Sequence, residues 1–190
     1  MVKALWYYRY ASVPIRFSMY LNLSQEFRFT FDQKLKESND FGVSVLSFCL
    51  MPNHFHLVVK QRKENGIKNY LANISNSYTK FFNTKHDRVG PLLQGTFKAV
   101  WIETDEQLLH VVRYIHLNPV EAGIVQAPEN YLWSSYPAYL GKIAPHTWLN
   151  REWGLNLFRV GTQRGNGETL NAFIAFHAEG ARLTPGTFTK

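Results

Sequence analysis

The sequence has little cysteine and no long apolar run. Cys49 is the single cysteine among 190 residues, so no disulfide can form within the chain, and we expect a reducing compartment. No apolar stretch approaches the roughly 20 residues that a membrane helix requires, and no secretory segment is recognisable at the beginning. A soluble, cytoplasmic protein without membrane contact is therefore expected.

Acidic residues are also in the minority. The chain carries 21 lysines and arginines against 14 aspartates and glutamates, which gives a formal net charge of +7. Such a surplus favours a polyanionic partner, although basicity alone is weak evidence for nucleic acid. Hydrophobic residues make up 45% of the chain and aromatic residues 15%, a composition that argues against disorder and predicts a packed core. The length suits one well-cored domain.

Hydrophobic periodicity and turn residues predict the order of helices and strands. The predicted elements are strand-like pieces at residues 6–10 and 16–21, a helix capped by Ser24 and ending near Ser38, strands at Val43–Leu50 and 54–60, a helix with the apolar stripe Ile67, Leu71, Ile74, Tyr78 and Phe81, a strand at 96–103, a helix from the cap Thr104 to about Asn118, and a short helix at 170–177. This order predicts a small α+β sandwich with a mainly antiparallel sheet and helices covering one face.

Two histidines flank Phe55 on the second predicted strand. Since side chains alternate across a strand, His54 and His56 project to the same face. Two imidazoles on one face can bind a divalent cation. The alternative is a pair of polar residues on the wet face of a sheet.

Tyr114 and Asn118 lie one turn apart on the helix that Thr104 caps. They could be a half-buried aromatic residue and a plain helix end. Together with His54 and His56, however, they suit attack by a phenol on a phosphodiester beside a bound cation. The products would be a covalent 5′-phosphotyrosine and a free 3′-hydroxyl. No general base is assigned, because the predicted directions of His110 and His116 on the same helix differ from that of Tyr114.

Three stretches of the sequence together carry a family resemblance. LMPNHFHLVVK (50–60), GPLLQGTFKAVWIETDEQLLHVVRYIHLNPVEAG (90–123) and NYLWSSYPAYLG (130–141) closely resemble the REP-associated tyrosine transposases, which are single-tyrosine HUH (His-hydrophobic-His) nucleases. The resemblance implies DNA transposition by a ferredoxin-like α+β domain that acts on hairpin-forming single-stranded DNA with Mg²⁺ or Mn²⁺. It also implies Tyr114 as the nucleophile and His54, His56 and Asn118 as metal ligands. Relatives include monomers and homodimers.

The resemblance covers roughly residues 5–141, so we interpret 1–141 as the transposase domain and 142–190 as a C-terminal extension of unknown role. Many relatives begin with an additional strand and turn of the kind Tyr-His-x-x-Asn-Arg-Gly, so we expect the first strand to be missing here. Thr96 and Glu121 replace basic residues that are common in relatives. The remaining candidates for phosphate contacts are Lys60, Lys80, Arg88, Lys98 and Arg113.

Two other functions remain open from the sequence. The absent strand, Thr96 and Glu121 motivate a domesticated or inactive module that binds nucleic-acid hairpins without cutting them. A metal-dependent hydrolase of small phosphate esters would need an activated water, and no further carboxylate lies near the histidine motif to act as its base. The leading hypothesis remains a metal-dependent tyrosine transposase.

Overall fold

The computed structural model describes residues 1–143, 146, 148–158 and 166–182, with side chains at 168–179 in the last stretch. As predicted, this part of the chain is α+β, with a two-stranded antiparallel sheet and several helices, consistent with a sandwich that lacks a strand. In chain order, the elements are α1 (Val2–Tyr7), α2 (Phe17–Leu21), α3 (Gln25–Ser38), β1 (Val43–Leu50), β2 (Phe55–Gln61), α4 (Gly66–Lys85), α5 (Asp105–Glu121), a 3₁₀ turn (Pro128–Asn130), α6 (Tyr136–Tyr139), α7 (Arg151–Asn156) and α8 (Asn166–Arg182).

The two strands form a hairpin whose ends agree closely with the prediction. β1 is apolar, and most of its side chains are buried. The backbone N–H of Met51 donates to the carbonyl oxygen of His54 over 2.9 Å and closes the turn. β2 then begins at Phe55, one residue later than predicted. The turn therefore places His54 at the start of the returning strand.

The chain divides into two compact units, the first of which comprises Met1–Ser44 and Val59–Ala99. Helices α1 to α4 belong to it, and its core is an aromatic cluster. The rings of Tyr7 and Tyr20 lie 4.9 Å apart, and Phe17 lies 5.2 Å from Tyr7. Tyr70 on α4 donates from Oη to the carbonyl oxygen of Leu5 over 3.0 Å. This hydrogen bond ties the long helix to α1.

The strands predicted at residues 6–10 and 16–21 are wrong. Both regions contain helices, α1 and α2, and only Tyr10 makes an isolated bridge, with Phe41. Aromatic residues favour strands on average, but packing decides their conformation here. Phe17 and Tyr20 are spaced for one face of a helix, and both rings pack on Tyr7. The predicted stripe on α4 is also too long, because Phe81 is 55% exposed.

The second unit comprises Val45–Val58 together with the described residues from Val100 onwards. The buried side chains of β1 and the apolar side of α5 provide much of its core. The segment around Ser134 runs beside β1, where Ser135 donates from its backbone N–H to the Phe48 carbonyl over 2.9 Å. Tyr139 on α6 donates from Oη to the Leu46 carbonyl over 2.7 Å. These bonds fix the segment after α5 to the strand.

The strand predicted at residues 96–103 is also wrong. These residues have no regular secondary structure, and the side chains of Val100 and Trp101 are 78% and 80% exposed. An alternating pattern becomes a strand only when a neighbour supplies backbone hydrogen bonds. In the described part of the chain, the sheet consists of β1 and β2, and residues 96–103 pair with neither strand.

Helix α5 continues beyond its predicted end. It passes through Pro119 to Glu121, because the Asn118 carbonyl still accepts a hydrogen bond from the Ala122 N–H over 2.9 Å. The helix predicted at residues 170–177 is longer in the structure and corresponds to α8. Among the helices in the described stretches, none combines the length and apolar composition needed to cross a bilayer.

Candidate active site

The hairpin brings the two histidines of the motif together. The Nε2 atoms of His54 and His56 lie 3.0 Å apart. His54 Nδ1 lies 2.6 Å from Asn53 Oδ1, which can only accept, so Nδ1 is the donor of this hydrogen bond. The other ring nitrogen of His54, Nε2, therefore faces His56. Asn53 thus orients His54, a role that the sequence analysis missed because Asn53 also fits an ordinary turn residue.

Helix α5 adds the tyrosine and the amide. Thr104 caps this helix by accepting the Gln107 N–H over 3.1 Å, as the sequence predicts. The rings of Tyr114 and His56 have centroids 5.5 Å apart in an edge-to-face arrangement. Tyr114 is the exposed tyrosine among the ten in the chain, since the others are buried or half-buried. A large substrate can therefore reach its side chain.

Asn118 completes the cluster from one turn further along α5. Its side chain is 9% exposed and hydrogen-bonds His56. Burial and the neighbouring His54 lower the pKa of His56, and the hydrogen bond between His56 and Asn118 offsets part of this effect. His56 is therefore neutral at neutral pH and retains a lone pair that can bind a cation.

The two histidine nitrogens are spaced to suit a divalent cation that prefers octahedral coordination. Two adjacent ligands at about 2.1 Å from such an ion would be about 3.0 Å apart, which is the separation of the two Nε2 atoms. Within the described stretches, no group of three or more His, Cys, Asp or Glu side chains could hold a metal ion. Any cation at the histidine pair would therefore need oxygen ligands from an amide such as Asn118, from water or from a bound phosphate.

A buried polar network lies on the other side of α5. His116 is fully buried and contacts Ser47, Ser135 and His177 through its ring nitrogens. The sequence analysis placed His116 away from Tyr114 but did not identify its partners. The residue pattern of α8 does not indicate where that helix packs, so the pairing of His116 with His177 could not be predicted from the sequence.

The proposed phosphate-contacting residues are spread over both units. Lys80 and Lys98 are exposed, and so is Arg88, which donates to Asn83 Oδ1 over 3.3 Å. These residues and Lys60, which is exposed on β2, belong to the first unit. Arg113 belongs to the second unit, where its guanidinium contacts Phe176 of α8. Their role in DNA binding stays a prediction.

Comparison with known proteins identifies the class as transposases. The family model described as "Transposase IS200 like" matches residues 18–118, just over half of the chain. The chain belongs to this family of IS200-like transposases. The matched residues include the histidine pair, Tyr114 and Asn118, and they support a role in DNA transposition.

A similar curated protein points the same way. A Haemophilus influenzae protein with the provisional name REP-associated tyrosine transposase is 28% identical over 136 residues, which cover 65% of this chain and 74% of that protein. No solved structure matches the chain significantly.

Proposed function

We propose that this transposase cleaves and rejoins hairpin-forming single-stranded DNA through a covalent bond between Tyr114 and a 5′ phosphate. The observation that carries the proposal is the exposed Tyr114 ring, 5.5 Å from His56, whose Nε2 lies 3.0 Å from that of His54. A nucleophile beside a pair of imidazoles that can bind a cation suits phosphodiester transfer.

The reaction is a transesterification at phosphorus. The Oη atom of Tyr114 forms a bond to phosphorus, and the bond from phosphorus to the 3′ oxygen breaks. The phenolic proton is released, and the departing oxygen gains a proton and becomes a free 3′-hydroxyl. Because the phosphotyrosine ester retains the energy of the broken bond, another 3′-hydroxyl can reverse the reaction without ATP.

His54, His56 and Asn118 are the proposed ligands of Mg²⁺ or Mn²⁺, and their donor atoms fit such an ion. When bound, the cation would polarise the scissile phosphate and stabilise the charge on the 3′ oxygen. Asn53 accepts a hydrogen bond from His54 Nδ1 and so directs Nε2 towards the proposed cation site. The lowered pKa of His56 keeps that ring neutral and able to coordinate.

The excess of positive charge supports binding of the DNA backbone. The chain carries a formal net charge of +7. Each phosphate of a single strand that the protein neutralises steepens the slope of log binding constant against log salt concentration by about 0.7. We propose that Lys60, Lys80, Arg88 and Lys98 contribute to this attraction. Arg113 remains a candidate, although its contact with Phe176 favours a structural role.

A labelled hairpin oligonucleotide tests the proposal. With Mg²⁺, the wild-type protein should form a denaturation-resistant adduct that retains a label at the 3′ end of the DNA. A label at the 5′ end should be released on a fragment with a free 3′-hydroxyl. Tyr114→Phe should abolish the adduct. Tyr78→Phe, which removes a hydroxyl from a half-buried ring on α4, should leave it unchanged.

A second candidate is a module that binds hairpins without cutting them. The exposed side chains of Val100 and Trp101 favour it, because the residues before α5 that were predicted to form a strand have no regular secondary structure and leave these apolar side chains uncovered in the described part of the chain. In that case the wild-type protein would bind the hairpin in a salt-sensitive manner, with equal affinity in Tyr114→Phe, and no adduct would form with any metal or hairpin.

A further inference from the structure

Helix α8 packs on α5 from the side opposite the candidate active site. A helix turns by about 100° per residue, so the side chain of His116 leaves α5 about 200° around the helix axis from that of Tyr114, on nearly the opposite side. His116 is fully buried, and its Nδ1 lies 3.1 Å from Nε2 of His177 on α8. Helix α8 lies beyond residues 18–118, the part of the chain that the transposase family model matches.

Hydrogen bonds fix which ring nitrogens carry protons in this network. His177 Nδ1 lies 2.8 Å from the Phe173 carbonyl oxygen, which can only accept, so Nδ1 carries the proton. Burial lowers the pKa of His177 to about 4, so its ring is neutral and has one N–H. His177 Nε2 must therefore accept from His116 Nδ1. His116 Nε2 in turn accepts from a serine hydroxyl, with Ser135 Oγ at 2.7 Å and Ser47 Oγ at 3.1 Å.

The same network reaches the sheet. Ser47 Oγ lies 3.1 Å from His116 Nε2 and 3.2 Å from Ser135 Oγ. Ser47 belongs to β1, the partner strand of β2, and β2 carries His56. An ordered set of hydrogen bonds therefore connects α8, the helix that carries Tyr114, and the hairpin that carries the histidine pair.

Arg113, the neighbour of Tyr114 in the chain, makes a second contact with α8. Its Nη1 donates to the Phe176 carbonyl over 3.2 Å, and its guanidinium lies 4.1 Å from the centre of the Phe176 ring. Its Nη2 lies 2.9 Å from His110 Nδ1. Two hydrogen-bonded contacts, at His116 and Arg113, thus attach the tyrosine-bearing turn of α5 to α8.

We infer that α8 positions Tyr114 for attack on DNA and that His177 is a positioning residue in this reaction. The inference rests on the proposed function. Apolar packing alone would allow α5 to be held in neighbouring positions, whereas a buried, fully satisfied hydrogen-bond network defines one arrangement. A misplacement of about 1 Å at a reacting group can cost about 100-fold in rate. A small shift of α5 against the hairpin would therefore impair the reaction.

The first test measures adduct formation in a single turnover with the labelled hairpin. His177→Phe keeps a ring beside Phe173 and Tyr136 but cannot accept the proton of His116. We expect its rate at saturating oligonucleotide to fall about 10- to 100-fold, with the half-saturating concentration unchanged. His177→Gln offers an amide oxygen as acceptor and should recover most of the rate. Glu179→Gln, on the exposed face of α8, should match the wild type.

Two results of this test have different meanings. If the wild type forms the adduct and folded His177→Phe reaches the same saturating rate, the positioning role is wrong and the proposed function stands. If only the half-saturating concentration changes, the positioning role is likewise wrong and the proposed function stands. If the wild type forms no adduct, the proposed function fails, and the catalytic role of α8 fails with it.

Arg113→Met provides a second variant in case His177→Phe does not fold. It removes the hydrogen bond to Phe176 but keeps a long side chain over the ring. The positioning role predicts a lower saturating rate at unchanged half-saturation. A higher half-saturating concentration with an unchanged saturating rate would instead assign Arg113 to DNA binding and contradict its role in holding α5.

A third measurement requires no DNA. Long-range ¹H–¹⁵N spectra of the wild-type protein should show neutral rings protonated at Nδ1 for both His116 and His177. His177 protonated at Nε2 would overturn the ordered network on which the inference rests. In His177→Gln, the His116 signal should keep the Nδ1 proton.

Discussion

Replacing His177 with glutamine should reduce the acid sensitivity of folding. Burial lowers the pKa of His177 from its ordinary value of 6.5 to about 4; a hydrogen bond to Phe173 opposes this shift, and the charge of Arg113 adds to it. As the pH falls, the unfolded chain therefore binds a proton before the folded protein does. The free energy of unfolding from this group is fully present above about pH 6.5 and is lost towards pH 4.

The expected magnitude follows from the size of the shift. Each pKa unit corresponds to about 1.4 kcal/mol, so the loss between pH 6.5 and 4 is about 3 kcal/mol. Urea unfolding, followed by tryptophan fluorescence at several pH values, measures it. His177→Gln cannot gain the proton and should lose about 3 kcal/mol less than the wild type over this range. Asn171→Gln, at an exposed position of α8, should follow the wild type. Parallel pH curves for wild type and His177→Gln would refute this reasoning.

Three further predictions concern the metal ligands, the fold and the DNA surface. His54→Gln should reduce Mg²⁺-dependent adduct formation by at least about 100-fold, while its affinity for the hairpin, measured with a metal chelator present, stays unchanged. A loss of hairpin affinity as large as the loss of adduct formation would argue against a metal role. Gly66→Ala should destabilise the protein by roughly 2–4 kcal/mol, because a Cβ there would collide with the Gly42 carbonyl oxygen, whereas Gly42→Ala meets only ordinary contacts and should cost less. Neutralising Lys80 and Arg88 should lower the salt slope of hairpin binding by about 0.7 for each phosphate that these side chains neutralise in the wild type, and an unchanged slope would exclude both residues from the DNA surface.

Local signals in the sequence predict part of the fold and of the site. The helix caps Ser24 and Thr104 act within four residues of their partners, so each helix start could be recognised directly. The alternation of side chains along a strand was enough to predict that His54 and His56 project to the same face, and their Nε2 atoms lie 3.0 Å apart. Helical spacing likewise placed Tyr114 and Asn118 on one side of α5, and both contact His56.

Features that depend on distant partners could not be predicted. The aromatic residues at 6–10 and 16–21 suit strands by composition, and only the cluster around Tyr7 explains their helical conformation. Residues 96–103 alternate like a strand, but a strand also needs a neighbour that the sequence does not specify. The bond between His116 and His177 joins residues 61 positions apart, and its existence depends on how α8 docks.

Peptide mapping of the covalent adduct tests the central claim most directly. After the wild-type protein reacts with the hairpin and the DNA is digested by nuclease, mass spectrometry identifies which of the ten tyrosines carries the remaining nucleotide. The account predicts modification at Tyr114, through a 5′ phosphate, and none in the absence of divalent metal. Modification of a different residue, or an adduct that persists in Tyr114→Phe, would contradict it.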